Sequence, residues 1–141
     1  MIIKNNLIPA KGFSAMSIFP FIFVRKDWLN KVKDNHRFTW KLIWKDYLNH
    51  EHIHAAQQLE VSLFGLALAI VLSILLCFSW WMLLIPIFLY YVLYVLDWLI
   101  GTIAGERDAY RTMIFEREAY ANENNLDYLS KRKPFAFLKY F

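Results

Sequence analysis

Several scarcities limit what this chain can be. Cys77 is its single cysteine, so it can form no intrachain disulfide and build no thiolate metal site. Lying within the most apolar stretch, Cys77 reads as a small packing residue. Glycine and proline number four each, while hydrophobic residues make up 58% and aromatic residues 18% of the 141 positions. A chain of that composition needs an apolar environment and is unlike an ordinary soluble domain. Near the N-terminus, Arg25-Lys26-Asp27 stands where a secretory signal would carry small residues, which argues against a cleaved leader.

Charge is also missing over a long interval. Residues 61–96 contain no Asp, Glu, Lys or Arg. As one helix this run would be about 54 Å long, against a hydrocarbon core of about 30 Å, so it is expected to fold back on itself. A turn near Ser79-Trp80-Trp81, with Pro86 shortly after, divides it into spans over residues 62–78 and 82–100. So small a chain has too little left to cover two such helices, and a membrane hairpin is the expectation. The connection carries no Lys or Arg, whereas Lys31, Lys33, Arg37, Lys41 and Lys45 precede the hairpin and Arg107, Arg111 and Arg117 follow it. The positive-inside rule then predicts both termini cytoplasmic, and an integral protein of a bacterial inner membrane is the expectation. Asp97, at the end of the second span, reads as an interfacial carboxylate.

The net charge is +4, yet the basic residues flank apolar segments and form no interleaved patch, which points to membrane lipid as partner and away from nucleic acid. Residues 1–26 form a short β element: Phe13 to Val24 is rich in β-branched and aromatic residues, Lys11-Gly12 is a turn, and Pro20 marks an edge or bend. Such an edge could align an extended peptide or simply cap the fold. Residues 27–48 combine Trp28, Trp40 and Trp44 with lysines and read as an interfacial segment, with Thr39 as a helix cap. The tail, residues 126–141, is basic and aromatic in the same way.

Histidine is confined to His36 and one window, Asn49-His50-Glu51-His52-Ile53-His54. On a strand, His50, His52 and His54 would share a face. The flanks Ile43, Trp44, Tyr47, Leu48, Ala55, Ala56 and Leu59 keep helical spacing instead, which predicts a helix over residues 46–60. The motif is H-E-x-x-H: two imidazoles four residues apart aim at one point, suited to Zn2+, and Glu51 stands beside them as a general base. His52 then faces away.

A third ligand has to come from elsewhere. Residues 105–124 have helical composition and carry two similar pieces, E-R-D-A-Y and E-R-E-A-Y. Ten residues apart, they are about 1000° apart on a helix and face different directions. Periodicity does not separate Glu116 from Glu118. Glu116 shares a face with Tyr120 and Glu118 with Asn122, and either Tyr120 or Asn122 could orient a histidine.

An H-E-x-x-H helix, a transmembrane hairpin and a helix carrying E-x-x-A resemble the catalytic core of membrane-embedded gluzincin metallopeptidases of the HtpX and CAAX-prenyl-protease type. Small uncharacterised bacterial membrane proteins with an F-E-R-E-A-Y segment are similar. The resemblance covers residues 46–124 and implies His50, His54 and Glu116 as zinc ligands with Glu51 as base. The family's aspartate falls on Tyr120, whose hydroxyl could take over its hydrogen bond to a ligand histidine.

The expected fold is therefore mainly α and membrane-embedded: a zinc-motif helix leading into a two-helix hairpin, a C-terminal ligand helix, and the short N-terminal β element. The expected function is hydrolysis of peptide bonds in an unknown peptide or protein substrate by a metal-activated water. Tyr110, Tyr120 and His36 are candidates to stabilise the oxyanion. The rival is a non-catalytic membrane protein whose metal site is structural or regulatory; a basic lipid-surface or nucleic-acid adaptor is a third possibility.

Overall fold

The computed structural model describes residues 1–76 and 79–141. Cys77, read as a packing residue, and Phe78, the expected end of the first span, lie outside the described residues. In chain order the elements are strands β1 (Ile2–Asn5), β2 (Ala15–Ile18) and β3 (Phe21–Arg25), then helices α1 (Lys26–Asn35) and α2 (Trp40–Leu75). A 3₁₀ turn (Trp80–Leu84) leads into α3 (Ile85–Ile103), followed by α4 (Ile114–Asn122), α5 (Tyr128–Lys131) and a last 3₁₀ turn (Ala136–Tyr140). The expected combination of a mostly helical chain with a small N-terminal sheet and two long apolar helices is present. The chain forms two compact units, residues 1–55 with 119–132 and residues 56–118 with 133–141.

In the first unit, β3 is the central strand, parallel to β1 and antiparallel to β2. Phe19-Pro20 turns β2 into β3, which keeps a residue without an N–H out of the ladder. Gly12 supplies the preceding turn with φ 109°, a conformation open to glycine. Ile22 and Val24 alternate inward with Ala15, and Trp28, Trp44 and Tyr47 pack against them. Trp28 and Tyr47 rings lie 4.4 Å apart. Trp28 and Trp44, from the segment expected at a lipid surface, are half-buried and cover the apolar face of the sheet.

Arg25, at the end of β3, is buried. Its guanidinium donates to Asp27 at 2.6 Å and to the carbonyls of Asn6 at 3.1 Å and Pro9 at 2.9 Å, tying the first loop to the sheet. The same bond to Arg25 holds the Asp27 carboxyl below its ordinary range.

In the second unit, α2 passes Gly65 against the start of α3: a Cβ on Gly65 would stand 3.0 Å from Pro86 Cα and 3.3 Å from the Ile85 carbonyl oxygen. Val61, Tyr90, Phe115 and Phe137 form the core. Phe137 comes from the tail, which was expected at a membrane surface. Its ring lies 4.8 Å from that of Phe115, and Glu60 and Arg117 bond the tail backbone at Phe135 and Tyr140.

Three expected boundaries differ. Residues 46–60 and the first span are parts of one 36-residue helix, α2, because no proline interrupts it. The helix α2 ends at Leu75, and α3 begins at Ile85 with Pro86 in its first turn and ends at Ile103, later than 82–100. The ligand helix starts at Ile114 rather than 105. Gly105 has φ 78°, and the Asp108 carboxylate accepts a bond from the Arg111 N–H, so residues 106–113 run through turns.

Both long helices are long and apolar enough to cross a membrane by length and composition, and only 22% and 6% of their most apolar windows is buried inside the protein.

Candidate metal centre

The helical reading of the histidine window holds, and the i, i+4 spacing does the rest. Along α2, His50, Glu51, Ile53 and His54 are buried, while His52 is exposed and its ring hydrogen-bonds the Leu48 carbonyl oxygen at 2.6 Å. The Nε2 atoms of His50 and His54 stand 3.1 Å apart. Two imidazole nitrogens on a tetrahedral zinc, each at about 2.0–2.1 Å, are separated by about 3.3 Å. The pair is thus already spaced for one ion.

His50, His54 and Glu116 each offer one donor atom, and these atoms lie within 4.8 Å of one another; all three residues are buried. This group could hold a metal ion. Two imidazoles and one carboxylate suit a borderline ion such as zinc, and three protein ligands leave a further position open.

Glu116 is fixed by its neighbours. Its Oε1 accepts a hydrogen bond from the Tyr94 hydroxyl on α3 at 2.5 Å. The helix that carries it is started by Asp97, whose Oδ2 accepts the Ile114 N–H at 2.7 Å. Asp97, read as an interfacial carboxylate, is therefore a helix cap. Glu118 is equally buried but turned elsewhere: Gln57 Nε2 donates to its Oε2 at 2.9 Å and to the Phe115 carbonyl at 3.0 Å. Of the two carboxylates that periodicity left open, Glu116 is the one grouped with the histidines among the described residues.

His50 has partners on its other side. Its Nδ1 lies 3.0 Å from Glu123 Oε2. The Tyr120 ring meets the His50 ring edge-on, with centroids 4.8 Å apart. Asn49 Nδ2 donates to the carbonyls of Asn122 at 3.1 Å, Glu123 at 2.9 Å and Asn125 at 3.0 Å, closing the C-terminal end of α4.

The other expected candidates are placed less centrally. Tyr110 lies in the turns before α4, within hydrogen-bonding reach of the Tyr94 hydroxyl. Asn122 takes part through its backbone carbonyl. His36 is exposed at the end of α1.

Asn49, Gln57, Tyr94 and Glu123 were not anticipated. Glu123 carried a readable signal, since it follows Glu116 by seven residues and two helical turns return to nearly the same face. Tyr94 carried none, because its partner is distant in sequence.

No family model, curated protein or solved structure matches this chain. The likeness to gluzincin peptidases rests on its motifs.

Proposed function

We propose that this protein is an integral-membrane, zinc-dependent peptidase of gluzincin type. The observation that carries the reading is the convergence of His50, His54 and Glu116 in a buried group, with Glu51 beside His50 on the same helix. Zinc bound by these residues would supply Lewis acidity, polarising a carbonyl oxygen and acidifying a water. Glu51 would then take a proton from the attacking water and deliver it to the departing amine nitrogen, which needs a carboxylate and no additional metal ligand. A structural site has no use for Glu51 in this role.

The exposed apolar faces of α2 and α3 support insertion in a bilayer, and the distribution of Lys and Arg supports cytoplasmic termini. A membrane-proximal peptide segment is the substrate class that fits such a position.

Bound zinc per chain and cleavage of a membrane-proximal peptide library, measured on detergent-purified protein, test the proposal. Near-stoichiometric zinc lost in His54→Ala and Glu116→Ala, with Glu51→Gln binding zinc but cleaving nothing, is the expected result. Zinc retained together with undiminished cleavage in Glu51→Gln would overturn the peptidase mechanism. Stoichiometric zinc without any cleavage by the native protein would favour a structural or regulatory metal site.

A further inference from the structure

We infer that Glu123 is a positioning residue of the metal centre, orienting His50 through its Nδ1. This inference rests on the metal reading above.

An imidazole can offer only one nitrogen to a metal, and the hydrogen bond at the other nitrogen decides which one. In His50 the two nitrogens have separate partners. Nδ1 lies 3.0 Å from the Glu123 carboxylate, and Nε2 lies 3.1 Å from Nε2 of His54. A carboxylate only accepts hydrogen bonds, so Nδ1 carries the proton and donates it to Glu123. The Nε2 lone pair is then aimed at the point His54 also faces.

The backbone around Glu123 is held by the residue next to His50. Asn49 Nδ2 binds the carbonyl oxygens of Asn122, Glu123 and Asn125. Adjacent residues of α2 therefore grip adjacent positions at the end of α4: Asn49 fixes the main chain, and His50 meets the side chain. Such a double attachment keeps the carboxylate in place without help from its own flexible stem. Tyr120 contributes differently, its ring packing edge-on against the imidazole at 4.8 Å.

Zinc affinity by chelator competition, read alongside ¹⁵N shifts of labelled histidine in the zinc-loaded protein, tests the assignment. Glu123→Ala is expected to weaken zinc binding by about 10- to 100-fold, the usual effect of removing a histidine's outer partner. Glu123→Gln, which keeps the shape and one acceptor oxygen, is expected to lose several-fold less, about 3- to 10-fold. The native ¹⁵N pattern should show His50 bound through Nε2 with Nδ1 protonated, and this pattern should broaden or change in Glu123→Ala.

If Glu123→Ala does not fold, the affinity and ¹⁵N pattern of Glu123→Gln decide the matter, and native values there would overturn the inference. Native affinity in Glu123→Ala together with zinc loss in His54→Ala would overturn it while leaving the metal site standing. Absence of zinc from the folded native protein would overturn the reading beneath it.

Discussion

The Tyr94 hydroxyl donates to Glu116 Oε1 across 2.5 Å. One residue of the second long helix thereby sets the orientation of the carboxylate that joins His50 and His54. Tyr94→Phe removes this bond, together with the hydroxyl's contact to Tyr110, and keeps the ring. The expected result is about a 10-fold loss of zinc affinity, read by chelator competition. Native affinity would show that Glu116 is oriented by other contacts.

Two glycines of the second unit give opposite expectations for the same substitution. A Cβ on Gly65 would meet backbone atoms of Pro86 and Ile85 at 3.0 and 3.3 Å, and backbone cannot yield as a side chain can. Gly65→Ala should cost about 1–3 kcal/mol through forced separation of α2 and α3. At Gly101 the nearest atoms, Ala109 Cβ and Thr112 Oγ1, are 3.5 Å away. Gly101→Ala should be neutral or gain up to about 1 kcal/mol from helix propensity. Thermal unfolding in detergent distinguishes them, and equal melting temperatures would remove the packing argument.

Asp97 accepts the Ile114 N–H at 2.7 Å. Asp97→Ala is expected to cost about 0.5–2 kcal/mol, as loss of a helix cap does, and Asp97→Asn clearly less. Denaturation midpoints of the two variants check this; an equal loss in both would mean that the charge, not the cap, is what counts.

The bond to Arg25 holds the Asp27 carboxyl below its ordinary range. A carboxyl with a lower pKa in the folded state contributes stability that is complete above the unfolded value and is lost as pH falls through the folded value. The midpoint difference between the native protein and Asp27→Asn should be constant above about pH 5 and close below the unfolded pKa. A gap unchanged down to pH 2 would show that the carboxylate's charge plays no part.

Local spacing made part of the site readable and left the rest hidden. His50, Glu51 and His54 could be placed because residues four apart on a helix share a face wherever the helix lies. Glu116 could not be separated from Glu118 by the same means, since both faces of α4 are buried and the partners that distinguish them, Tyr94 and Gln57, come from other helices. Glu123 was within reach of helical arithmetic. Trp28 and Trp44 show the limit of composition, because aromatic and basic residues together suit a lipid surface and a sheet cover equally. Residues 105–113 show its other limit. Their helix-forming composition gives way to turns where Asp108 bonds a backbone N–H and Asp97 claims the first N–H of α4.

That last contact separates loop length from ligand orientation. With α4 started by a side chain of α3, the turns before it carry chain across without setting the helix's rotational phase. Residues 106–108, all exposed, form a tolerant insertion point: a few added residues there, or a short epitope, would lengthen the crossing while Glu116 kept its heading.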